Sequence, residues 1–139
     1  MVRVLATGTF DILHPGHLLY LSEAKALGDE LYVIVARDSM VKHKPKPIVP
    51  EGQRLAVVAA LRMVDKAVLG SETDMFEPLL EIKPDIIALG ENQHFNEKEL
   101  EKQLKTHGIN AKMVRIQSFE QCELCSSAAI IRKVLERNR

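Results

Sequence analysis

Two histidines three residues apart, His14 and His17, bracket a Pro-Gly pair in the stretch Thr7-Gly8-Thr9-Phe10-Asp11-Ile12-Leu13-His14-Pro15-Gly16-His17. Pro15 suits the first position of a helix, where its missing N–H costs nothing. It also holds His14 extended just ahead of that helix. His17 then falls in the first turn, and the two imidazoles can converge beside the open N–H groups of the helix start. A helix N-terminus favours an anion. Two imidazole donors added to it suit a phosphate and the charge that builds up when a phosphoryl group is transferred. Gly8 and Gly16 let backbone approach a ligand closely. Two other readings stand beside this one. A helix can start with two incidental histidines, or the pair can be half of a zinc site, although no nearby carboxylate pair completes it. The position directly after an apolar strand favours phosphate chemistry.

Short apolar runs alternate with helix-period segments along the chain. The expected strands are Val2–Thr7, Leu31–Ala36, Ala67–Leu69, Asp85–Leu89 and Lys112–Ile116, and their near-continuous apolar, β-branched character suits strands covered on both faces. Helices are expected from about Pro15 to Leu27, where Gly28 marks a stop and Leu18, Leu21 and Ala24 repeat at helical spacing. Others run from Glu51 through Val64, around Phe76–Ile82, around Glu97–His107 before Gly108, and from Ser126 or Ser127 onward. Strictly alternating strands and helices predict an α/β fold: one doubly wound, five-stranded parallel sheet filling a single domain over residues 1–139. In such sheets ligands bind at the carboxyl ends of the strands, where the histidine turn lies.

The composition removes several function classes. Lys+Arg and Asp+Glu number 19 each, and this balance argues against a nucleic-acid partner. No apolar run approaches the ~18 residues of a membrane span, and no leader pattern precedes the first strand. Cys122 and Cys125 are too few for a disulfide framework. The expectation is a cytoplasmic enzyme or binding module without a membrane partner.

Other candidates sit at further strand ends. Lys42, Lys44, Lys46 and Arg54 follow the second strand in a long Lys/Pro loop, Arg37–Pro50. Alternate lysines of an extended segment point the same way, and together they suit phosphates as well as they suit a solvated loop. His43 points away from them. Asn92, in Gly90-Glu91-Asn92-Gln93-His94 after the fourth strand, offers a donor and an acceptor to a base or ribose, or simply forms a surface turn. Ser126 and Ser127 either cap the last helix or add hydroxyls to a second anion-binding terminus. Cys122-x-x-Cys125 has three readings: half a zinc site, a redox pair, or two half-buried thiols. Met40, Met75, Phe76 and Phe119 suit an apolar pocket for a flat ring, or core packing; Phe119 also suits stacking on adenine.

The motif Gly8-Thr9-Phe10-Asp11-x-x-His14-x-Gly16-His17 resembles the signature of the cytidylyltransferase-like nucleotidyltransferases at every fixed place, and the resemblance covers nearly the whole chain. It implies a Rossmann-like nucleotidyltransferase fold, a homodimer, and transfer of a nucleoside monophosphate from an NTP to a phosphate-bearing acceptor with release of pyrophosphate. It implies nucleotide contacts from Thr9, Phe10, His14, Pro15, Gly16 and His17, joined by Asn92, Phe119, Ser126 and Ser127. Catalysis falls to His14, His17 and Lys44, with a divalent cation such as Mg²⁺ carried by the triphosphate and no metal ligand on the chain itself. Asp11 is the one motif carboxylate near enough to touch that cation, and it suits orienting the loop equally well. Three departures stand out. Asn92 replaces an acid of the family's Gly-Asp-Asp turn, Gln121 replaces an arginine ahead of the serine pair, and the following basic residue, Arg132, comes one place late.

Within that family the chain is most similar to the archaeal FAD synthases. The similarity runs through Val35-Ala36-Arg37-Asp38, Lys46-Pro47-Ile48-Val49-Pro50-Glu51-x-x-Arg54, Lys83-Pro84-Asp85-Ile86-Ile87 and the cysteine beside the serine pair. It implies ATP plus FMN giving FAD and pyrophosphate. Cytidylyl transfer to glycerol 3-phosphate and transfer to a sugar phosphate are the alternatives, and a nucleotide-binding sensor is the non-enzyme one. A class I aminoacyl-tRNA synthetase core shares the two-histidine logic, but this neutral chain has no room for a tRNA-binding domain.

Overall fold

The computed structural model describes residues 1–41, 46–90, 97–116 and 122–138. The strands are β1 (Arg3–Gly8), β2 (Glu30–Val35), β3 (Lys66–Leu69), β4 (Ile86–Leu89) and β5 (Lys112–Arg115). The helices are α1 (Pro15–Ala26), α2 (Glu51–Ala59), α3 (Glu77–Ile82), α4 (Glu97–Thr106) and α5 (Ser127–Arg137), with a short 3₁₀ turn at Asp38–Met40. All strand pairs are parallel, and the sheet order is β3-β2-β1-β4-β5. The expected doubly wound α/β architecture is the one observed.

Alternation along β1 sends successive side chains to opposite faces. Val4 and Ala6 join Leu21 and Ala24 of α1 and Val58 of α2 on one side. Leu5 joins Ile34, Leu79 and Ile82 of α3 and Leu104 of α4 on the other. Both faces are therefore buried, which is why the strands read as unbroken apolar runs. β1 sits between β2 and β4, so consecutive connections leave it in opposite directions. This switch point opens a crevice above the ends of β1 and β4.

Three details differ from expectation. α2 stops at Ala59 rather than Val64, because the chain tightens into successive turns (Leu61 N to Val58 O at 3.1 Å, Val64 N to Leu61 O at 3.1 Å) that bring Val64 inward. Leu18 of α1 is half-exposed, while Leu21 and Ala24 are buried. Gly28 does follow α1, but close approach is what demands it. A Cβ there would lie 2.8 Å from the Val2 carbonyl oxygen and from Val4 Cγ2. Gly108, by contrast, takes φ 74° after α4, a conformation that favours glycine.

Candidate active site

The loop from β1 to α1 places the two histidines. His14 is the N-cap, with extended backbone (φ −147°, ψ 170°), and Pro15 opens the helix. His14 Nδ1 accepts the Gly16 N–H at 3.1 Å, and His17 Nδ1 accepts the His14 N–H at 3.4 Å. The reciprocal pair caps the helix and stacks the rings, centroids 3.9 Å apart and tilted by 32°. Each Nδ1 acts as an acceptor, so in the neutral ring the proton sits on Nε2. Burial holds the His14 imidazole below its ordinary 6.5, favouring the neutral ring. The convergence expected from the spacing is present, and its instrument is this mutual cap.

Gly16 has no room for a side chain. A Cβ would fall 2.8 Å from His14 Cε1, 2.9 Å from His14 Nδ1 and 3.4 Å from the Cys125 carbonyl. Phe10 takes φ 54° and turns its ring into the core, where it packs against His17 (centroids 5.4 Å) and under Gly8. Its side chain supports His17 from beneath and leaves the ligand side of the turn to the backbone.

The remaining contacts tie this turn to the loop after β2. Asp11 accepts the Ile48 N–H at 3.0 Å and the Val49 N–H at 2.8 Å, one on each oxygen. Of its two expected uses, these bonds fit orienting the loop. Arg54 requires a correction. Its spacing grouped it with the phosphate-binding lysines, but it is 1% exposed. It donates to the Val49 carbonyl at 2.9 Å, the Thr9 carbonyl at 2.6 Å and Asp38 Oδ1 at 2.6 Å. A guanidinium so buried must spend its donors on fixed partners. Lys46 donates to the Asp38 carbonyl at 2.8 Å. Lys42, His43, Lys44, Asn92, Phe119 and Gln121 lie outside the described residues.

The start of α5 meets the same turn. Ser126 is the N-cap, its Oγ accepting from Ala129 N at 3.0 Å, and Ser127 Oγ donates to the Ile12 carbonyl at 3.2 Å. The cap reading therefore holds for Ser126, and the Ser127 hydroxyl sets the N-terminus of α5 against the histidine loop. Cys122 and Cys125 form a disulfide with Cα atoms 5.3 Å apart in the segment leading to that helix, the pairing that the redox-pair reading of the three implies. Among the described residues, no three His, Cys, Asp or Glu side chains gather to hold a metal ion. Among them, too, no helix is long and apolar enough to cross a membrane.

Tyr20 escaped the sequence reading. Its hydroxyl donates to the Ala88 carbonyl at 2.7 Å and accepts the Thr7 N–H at 3.3 Å, pinning β1 to β4 at the switch point. Burial pushes its phenol well above the ordinary value, so it stays protonated and keeps donating. The available signal was a tyrosine three residues after His17, on the same helix face. Met40, Met75 and Phe76, expected either in an apolar pocket or in the core, line one cleft together.

Residues 5–133 match the cytidylyltransferase-like family. FAD synthase from Methanohalophilus mahii is 64% identical over 139 residues, covering 100% of this chain and 98% of that protein. FAD synthase from Archaeoglobus profundus is 62% identical, covering 98% and 88%. A crystal structure of a lipopolysaccharide core biosynthesis protein from Thermoplasma volcanium superposes with a TM-score of 0.83 at 51% identity, covering 86% of this chain and 99% of that one. Pantoate-beta-alanine ligase from Francisella tularensis shares the fold, with a TM-score of 0.59 at 17% identity over 95% of this chain and 64% of that one.

Proposed function

We propose that this chain, which belongs to the cytidylyltransferase-like family, is an FAD synthase that transfers AMP from ATP to FMN, giving FAD and pyrophosphate. The observation that carries the chemistry is the pair of mutually capped imidazoles at the N-terminus of α1. Full-length relatives named FAD synthase, at 62–64% identity, support the choice of substrates.

The acceptor sets the mechanism. A phosphate monoester is mostly dianionic near neutrality, its second pKa being about 6. An FMN phosphate oxygen attacks the α-phosphorus of ATP, the bond to the bridging oxygen breaks, and pyrophosphate leaves. No proton has to be removed from the nucleophile, so catalysis reduces to in-line positioning and charge neutralisation. His14 and His17 donate from Nε2 to the α-phosphate and the bridging oxygen. The N-termini of α1 and α5 add backbone donors. A Mg²⁺ carried by ATP would neutralise charge on the triphosphate, while Asp11 orients the loop through the Ile48 and Val49 N–H groups. Lys44 neutralises the leaving pyrophosphate, and Asn92 and Phe119 receive the adenosine.

The exposed apolar residues of α5, Val134 and Leu135, support a homodimer; size-exclusion chromatography with light scattering tests it. The balanced charge supports small-molecule partners without nucleic acid. We place the reaction in the cytoplasm.

Incubation of the protein with ATP or CTP against FMN, glycerol 3-phosphate and sugar phosphates tests the function. The expected result is FAD with stoichiometric pyrophosphate from ATP and FMN. No pyrophosphate with FMN, or release with another acceptor alone, overturns the reading.

A further inference from the structure

We propose that an apolar cleft beside the strand ends receives the dimethylbenzene edge of the flavin ring, and thereby selects FMN over a polar acceptor. This rests on the FAD synthase reading. The cleft has a volume of about 170 Å³ and lies on the sheet face opposite α1. Leu5 and Ile34 form its floor, Phe76 and Leu79 its wall, and Met40 and Met75 its rim.

Three features point to this occupant. First, the polar groups that reach the cleft are largely committed. Arg37 donates to the Gly70 carbonyl at 2.6 Å and pairs with Glu51 at 3.1 Å, and Ser71 Oγ accepts the N–H groups of Thr73 and Asp74. A glycerol or sugar hydroxyl brought here would lose water without a matching partner. The dimethylbenzene edge of a flavin carries no polar atom and loses nothing, while its pyrimidine edge stays outward. Second, Met40 and Met75 are 37% and 48% exposed, so two adaptable thioethers stand partly exposed at the mouth. Methionine sulfur makes favourable contacts at aromatic rings. Third, the cleft lies at the carboxyl end of the strand that leads into the histidine turn. Thr7 lines it and is followed at once by Gly8, which opens the loop to His14. A ring seated here points its ribityl phosphate across the end of β1 toward the histidines. The volume is below the ~300 Å³ of a full small-molecule pocket, in keeping with one edge of a ring rather than a whole nucleotide.

The test compares KM for FMN with KM for its analogue lacking the two ring methyl groups, in the natural protein, and KM for FMN in Met75→Asp and Met75→Leu. Loss of the methyls is expected to raise KM about tenfold or more. Met75→Asp is expected to raise KM for FMN by a similar factor with KM for ATP unchanged, and Met75→Leu to restore it. An analogue used as well as FMN overturns the assignment, even if the aspartate variant does not fold. So does a folded Met75→Asp with unchanged KM for FMN. A natural protein that makes no FAD overturns the FAD synthase reading itself, a result distinct from either.

Discussion

Arg54 reaches the carbonyl of Thr9 across 2.6 Å, and that bond joins the histidine turn to the loop that carries the lysines. The same guanidinium holds Asp38 and Val49, the two ends of the loop, while Asp11 holds Ile48 and Val49 from the other side. Asp38, Ile48 and Val49 are therefore tied to the turn. Arg54→Ala leaves two carbonyls and a carboxylate without their donor and should cost about 2–4 kcal/mol in urea unfolding. Arg54→Lys should recover little, because one ammonium cannot match the fork. A loss below about 1 kcal/mol would contradict the tie.

Gly16→Ala tests how tightly the His14 ring is set. The added methyl would meet ring atoms at 2.8 and 2.9 Å, so the imidazole must shift. A misplacement on the order of 1 Å costs roughly 100-fold in rate. FAD formation should fall by about that factor with circular dichroism unchanged. Full activity in a folded variant would show that the ring position is unimportant.

The lowered pKa of His14 has a defined sign. Its folded value lies below the ordinary 6.5 because burial disfavours the cation. The unfolded chain therefore binds more protons in the window beneath 6.5, and stability falls as pH drops through it. Protonation also removes the acceptor for the Gly16 N–H. NMR titration of the ligand-free protein should give a His14 midpoint below 6.5, moving upward when ATP places negative charge beside it. A midpoint at or above 6.5 without ligand would count against the neutral, Nε2-protonated ring.

Much of this was legible in the sequence, and what was not has a common physical cause. The convergence of the two histidines is written within four residues, so spacing and Pro15 were enough to expect it. The alternation of apolar runs with helix-period segments was likewise local. The role of Arg54 depends on Thr9, 45 residues away, and that of Ser127 on Ile12, 115 residues away. Neither partner offers a side-chain signal, because both contribute only a carbonyl. Asp11 had two open uses for the same reason: its partners are backbone N–H groups, which no residue type announces. Tyr20 was hidden by its ring, which reads as one more apolar position on α1.

Ser127→Ala removes the hydroxyl that ties α5 to Ile12 and should cost about 1 kcal/mol, or roughly 3–4 °C in Tm. KM for ATP should rise several-fold, because the second helix terminus is no longer held against the turn. Ser126→Ala loses the cap alone and should cost a similar ~1 kcal/mol. If Ser127→Ala leaves KM for ATP unchanged, α5 is a structural neighbour of the site and no part of it.

The most direct test of the two-histidine turn is the rate of FAD formation by His17→Ala at saturating ATP and FMN, read together with ATP affinity. Removing one donor to a transition-state oxyanion costs roughly 100- to 1000-fold. A fall of that size with ATP still bound is the predicted result. Turnover at the natural rate would contradict the assignment of the paired imidazoles to the transferring α-phosphate.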